Sequence, residues 1–83
     1  MQRRTLYERL TRYLTALPPA QATVPLTFAE LDGLLGVPLA VTAQAIPSYW
    51  TSTPVARRNW LAAGWTARLN RGDRSVTFTR QAH

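Results

Sequence analysis

Apolar residues recur every three or four positions over the first two thirds of the chain and every second position near its end, so helices are expected early and strands late. Leu6, Leu10, Tyr13, Leu14 and Leu17 fall on one helical face, with Glu8, Arg9 and Arg12 off it. Thr5 and Glu8 have capping-box spacing, and Pro18-Pro19 ends the helix because neither proline can donate to its ladder. Residues 18–23 then read as a loop and Val24 to Leu26 as a short β-prone stretch. Thr27-Phe28-Ala29-Glu30 is a second capping box, with Leu26 and Leu31 spaced as its hydrophobic staple. This helix carries Phe28, Leu31, Leu34 and Leu35 inward and stops at Gly36, ahead of Pro38.

The spacing predicts a third short helix over Leu39–Ile46, which Pro47 ends or bends. Thr53-Pro54 supplies an N-cap with proline at the first helical position, opening a fourth helix that Gly64 closes, with Ala56, Trp60 and Ala63 on one face. The period then changes. Trp65, Ala67 and Leu69 alternate with polar residues, as do Val76 and Phe78, around Arg71-Gly72-Asp73-Arg74, which predicts a hairpin with one apolar face. The expected fold class is α+β, a small winged helix-turn-helix-like domain over residues 1–83, in the order α-β-α-α-α-β-β with the C-terminal β-hairpin as wing.

Charge sharpens this picture. All ten basic residues are arginines, and none lies between Arg12 and Arg57, so the formal net charge of +6 is carried at the two ends. A polyanion such as nucleic acid is the first partner this implies, and an acidic protein surface the second. An 83-residue chain buries roughly 60% of its unfolded surface. Three Trp, three Tyr and two Phe must therefore supply much of the core. The absence of cysteine excludes disulfides and thiolate metal sites. No apolar run reaches the roughly 20 residues of a membrane span, and Met1-Gln2-Arg3-Arg4 is not followed by the apolar core of a secretory signal, so a cytoplasmic location and no membrane partner are expected.

Leu26-Thr27-Phe28-Ala29-Glu30-Leu31, Leu35-Gly36, Leu39, Ala43, Trp50, Trp60-Leu61-Ala62-Ala63-Gly64-Trp65 and Val76-Thr77-Phe78-Thr79-Arg80 together resemble a family of small, uncharacterised bacterial domains. That family's pattern runs as a Leu-Thr-Phe helix start, Leu-Gly, Leu-Pro, Trp-Trp-x-Asn, Ala-Trp-x-x-Ala-Gly-Trp and a closing Val-x-Phe strand. The resemblance covers most of the chain and implies a discrete fold without an assigned activity. Tyr49 stands where the pattern has its first Trp, Ser52 where it has Asn and Ala40 where it has Pro.

Several side chains are candidates for contact with nucleic acid. In a helix-turn-helix the second helix of the pair presents polar groups to base edges, which selects Thr42 and Gln44. The alternative there is packing by Leu39, Ala43 and Ile46, with Thr42 as an N-cap. Arg68, Arg71, Arg74 and Arg80 lie on or beside the hairpin and Arg57 and Arg58 on the preceding helix, so residues 53–83 hold six arginines against one acid, Asp73. Arginines in that density suit phosphate oxygens, the alternative being a solvated surface. Arg3, Arg4, Arg9 and Arg12 form a second basic group, with Arg3 and Arg4 either on the first helix or in a basic arm. Trp60 and Trp65 read as core, whereas Tyr49 and Trp50 are the best aromatic contact candidates.

Catalysis finds no support. The one histidine is the terminal His83, and Glu8, Glu30, Asp32 and Asp73 each have a local role at a cap, helix start or turn. No catalytic residue, cofactor or metal site is expected, and Arg71-Gly72-Asp73 is read as a turn. The expected function is binding of double-stranded DNA, as a regulator or a nucleoid or defence accessory, by Arg57, Arg58, Arg68, Arg71 and Arg74, with weak or no base reading by Thr42, Gln44 and Tyr49. The competing expectation is a protein-interaction module or accessory subunit, because Ala40, Val41, Ala45, Ile46 and Pro47 form a neutral apolar stretch, and a homodimer through one of the two basic ends is a further possible partner.

Overall fold

A computed structural model describes residues 3–81 and the side chains of residues 7–81. Five helices, α1 (Arg3–Thr15), α2 (Phe28–Leu35), α3 (Val41–Ala45), α4 (Tyr49–Ser52) and α5 (Pro54–Arg58), combine with three strands, β1 (Thr23–Thr27), β2 (Trp65–Asn70) and β3 (Ser75–Arg80). The sheet is antiparallel throughout, in the order β1-β3-β2, with Leu26 beside Val76 and Val76 beside Leu69. Val24, Leu26, Trp65, Ala67, Leu69, Val76 and Phe78 turn one sheet face into the core, where they meet Tyr7, Leu10 and Leu14 of α1 and Phe28, Leu31 and Leu35 of α2.

Local chemistry explains the best-defined ends. Thr27 Oγ1 accepts from the Glu30 N–H at 3.1 Å while Glu30 Oε1 accepts from the Thr27 N–H at 2.8 Å, so both halves of the expected capping box form. Gly36 closes α2 in the left-handed region at φ 81° and donates to the Asp32 carbonyl. Thr53 Oγ1 caps α5 by accepting from the Ala56 N–H, with Pro54 at the first helical position.

The order contains one helix more than expected. Pro47 ends α3 and Pro54 opens α5, and the residues between them have room for a turn of helix, Tyr49–Ser52. The expected fourth helix is correspondingly shorter. It stops at Arg58 because Asn59 leaves helical geometry at ψ −103° and uses its side-chain amide to bond the Val55 carbonyl at 2.7 Å. Turns carry the chain from there to Gly64, so Ala63 is exposed while Ala56 and Trp60 are buried. In α1, Thr5 lies inside the helix rather than at its cap. Tyr7, Leu10 and Leu14 form its buried face and Tyr13 sits at the margin, since a 3.6-residue repeat carries position 13 away from the line through 7, 10 and 14.

The aromatic centre also differs from expectation at Trp50, which is fully buried. Its ring lies 5.0 Å from that of Trp60 and 6.0 Å from that of Phe78. Its indole N–H donates to the Ala43 carbonyl at 2.8 Å, a bond that satisfies the one polar atom of the side chain inside the core. Trp50 is therefore core and not a contact aromatic. Trp60 and Trp65 are buried as expected.

Candidate nucleic-acid interface

Each hairpin arginine has its position set by the sheet. β2 directs Trp65, Ala67 and Leu69 inward, which leaves Thr66, Arg68 and Asn70 on the opposite face. Thr77 and Thr79 of β3 and Thr23, Pro25 and Thr27 of β1 join them there, with Arg68 in register with Thr77 and Thr77 with Pro25. Asn70 Nδ2 donates to Thr77 Oγ1 at 2.8 Å, and Thr66 Oγ1 donates to the Thr79 carbonyl at 3.3 Å. Arg68 thus stands exposed on a sheet face built mainly of hydroxyl groups. The alternation of threonines in the two hairpin strands signals this face in the sequence, although threonine's high strand propensity is reason enough for its presence there.

Arg71 and Arg74 bracket the hairpin turn and are both exposed. Arg74 adopts φ 52°, a left-handed conformation uncommon for a residue with a Cβ. Its carbonyl accepts from the Phe28 N–H at 2.9 Å, and its guanidinium lies 5.5 Å from the centre of the Phe28 ring. Arg71 Nη1 makes a long hydrogen bond, 3.4 Å, to the Ala45 carbonyl at the end of α3. The turn is therefore tied on one side to the start of α2 and on the other to the end of α3. Arg57 and Arg58 occupy the last turn of α5 and are exposed.

Arg80 departs from the expected hairpin cluster. Its Nη2 donates to the carbonyls of Pro18 (3.1 Å) and Gln21 (3.3 Å), and its guanidinium stacks 4.5 Å from the centre of the Trp65 ring. It fastens the loop after α1 to the sheet. Arg9 also has an internal neighbour: its Nη1 would lie 2.9 Å from a Cβ added at Gly36, beside the C-terminal end of α2, where a cation is favoured. Arg12 is exposed. Arg3 and Arg4 belong to the first turn of α1 by their backbone, and their side chains lie outside the described residues.

Of the three candidate base readers, only Thr42 is fully exposed. Thr42 is exposed within α3, whose N-cap position is Ala40 without a side-chain bond, so Thr42 is not the cap. Gln44 Nε2 donates to the Leu39 carbonyl at 2.8 Å and is half-buried. The Tyr49 hydroxyl lies 2.8 Å from that of Tyr7. Burial, and then the hydrogen bond and charge of Tyr49, push the Tyr7 phenol well above the ordinary tyrosine range. Leu39 and Ala43 are buried beneath α3, but Val41 is 81% and Ile46 47% exposed. The alternative of inward packing fails at Ile46, which leaves helical geometry at ψ 110° and precedes Pro47, whereas the apolar stretch that includes Val41 and Ile46 is exposed. No group of three or more potential metal ligands occurs among the described residues.

The molecule is thus a small α+β domain whose antiparallel hairpin exposes Arg68, Arg71 and Arg74. The chain belongs to the family described as a domain of unknown function (DUF7662), whose model matches residues 7–82. No curated protein and no solved structure matches it. No helix among the described residues is long and apolar enough to cross a membrane.

Proposed function

We propose that this is a winged-helix-like module that holds the phosphate backbone of double-stranded DNA through Arg57, Arg58, Arg68, Arg71 and Arg74. The observation that carries this reading is the double anchorage of the hairpin turn, by Arg74 to Phe28 and by Arg71 to Ala45. A turn held at both sides presents its guanidinium groups with less conformational entropy left to lose on binding. A three-stranded sheet with β3 at its centre and the β2–β3 hairpin following the helices supports the winged-helix comparison. The Thr77 hydroxyl beside Arg68, which accepts from Asn70 and keeps its proton, is a further donor suited to phosphate oxygens. Base reading is weak or lacking, because Gln44 and Tyr49 spend polar atoms on internal partners and only Thr42 stands free on α3.

The test is binding of purified protein to a duplex, its single strand and RNA of the same sequence over a salt series. Each neutralised phosphate contributes about −0.9 to the slope of log affinity against log salt, and loss of one contact reduces that slope by roughly one unit. Duplex binding that survives Arg71→Glu with Arg74→Glu unchanged would overturn the wing assignment. The exposed side chains of Val41 and Ile46 favour a second reading, a protein-contact module. Under that reading duplex binding is absent even at low salt.

A further inference from the structure

We infer that the exposed face of α3 reads the C5-methyl group of thymine in the major groove, so that the module prefers duplex DNA containing thymine. This rests on the duplex-binding reading and names the chemistry by which that weak base reading tells one sequence from another. At about 100° per residue, Val41 and Ala45 lie roughly 40° apart on the helix, with Thr42 on their flank and Ala43 on the far side. Val41 is 81% exposed, Thr42 and Ala45 are exposed, and Ala43 is fully buried. The helix, Val-Thr-Ala-Gln-Ala, holds no charge, and its one amide side chain, Gln44, donates to the Leu39 carbonyl at 2.8 Å. What remains on the exposed face is one hydroxyl and a set of methyl groups. Of the groups that base pairs present in the major groove, only the C5-methyl of thymine is apolar.

Arg71 brings a phosphate-holding group to the same helix. Its Nη1 donates to the carbonyl of Ala45, the last residue of α3, at 3.4 Å. That bond uses one of the guanidinium's N–H donors and leaves the others for phosphate oxygens. The carboxylate of Asp32 is held at the other end, where Oδ1 accepts from the Leu39 N–H at 2.7 Å. The backbone of a duplex is therefore drawn to the Ala45 end, beside the methyl-bearing face. At 1.5 Å per residue α3 is about 7 Å long, which fits a major groove about 12 Å wide and covers about two base-pair steps of 3.4 Å. The face thus meets on the order of one or two thymine methyls, and burying each is worth roughly fourfold in affinity.

Affinities for a short A·T duplex and for the same duplex with every thymine replaced by uracil, which lacks only the C5-methyl, test the inference. The uracil duplex should bind about four- to fifteenfold more weakly. That ratio should hold at every salt concentration, because a methyl contact releases no counterion. Val41→Ala, at a position that packs against little, should leave the melt and the affinity for the uracil duplex unchanged and bring the ratio toward one. Equal affinity of the unaltered protein for the two duplexes overturns the inference and leaves the duplex-binding reading standing. A thymine preference that survives Val41→Ala in full comes from the shape of the DNA or from another contact, and overturns it as well. Absence of duplex binding even at low salt overturns both readings together.

Discussion

The indole N–H of Trp60 donates to the backbone carbonyl of Trp50 at 3.0 Å, and the Trp50 indole N–H in turn donates to the Ala43 carbonyl at 2.8 Å. Two tryptophans thereby join α3, α4 and the turn after α5 through main-chain acceptors. These three pieces are each too short to be stable as isolated helices. Their positions depend on this relay and on the rings around it.

Trp60→Phe keeps an aromatic ring in place and removes only one donor. The Trp50 carbonyl then stays buried without this partner, which should cost about 1–3 kcal/mol in chemical denaturation. Near-ultraviolet circular dichroism should show a rearranged Trp50 signal. Loss of stability without any change in that signal would mean that the relay does not position α4.

Tyr7 makes stability depend on alkaline pH. Its raised phenol favours the protonated form in the folded state, so its contribution is complete below the ordinary tyrosine value of about 10 and is lost as pH rises toward the folded value. Denaturation midpoints should therefore fall with rising pH above that point. In Tyr7→Phe the fall should be shallower, and absorbance titration of the folded protein should lose its latest-ionising phenol.

Arg80→Ala separates an arginine that holds the fold from those assigned to binding. It removes two hydrogen bonds to Pro18 and Gln21 and the stacking on Trp65, offset in part because Arg80 Nε is itself buried without a partner. A loss of about 1–2 kcal/mol in thermal or chemical melts is expected. Arg68→Ala, at an exposed position, should leave the melt unchanged and lower duplex affinity. Equal melts for the two variants would remove the structural role given to Arg80.

The parts of the fold that can be read from sequence are those set by neighbours in the chain. The Thr27–Glu30 capping box, the left-handed Gly36, the Thr53-Pro54 start and the alternating hairpin each need only a few adjacent residues. Trp50 could not be placed that way, because its burial depends on Ala43, Trp60 and Phe78 arriving from other elements. Asn59 ends α5 through one side-chain bond that no propensity scale singles out. Among the candidate contacts, exposure of Arg57, Arg58 and Arg68 follows from helix and strand periodicity, and that of Arg71 and Arg74 from their place in the hairpin turn. The internal partners of Gln44, Tyr49 and Arg80 do not, since each lies on a separate segment or beyond a turn.

The place of β3 between β1 and β2 also sets the order in which the molecule can be completed. Leu26 and Val76 sit side by side although roughly fifty residues separate them, a loop whose closure must be met before the pairing stabilises anything. On the ribosome, α1, β1 and α2 emerge first, and β1 has no neighbour until the strand ending at Arg80 has followed. β1 therefore waits as an unpaired strand edge while the chain between Thr27 and Ser75 is made, and the sheet is complete only once β3 lies between its two neighbours.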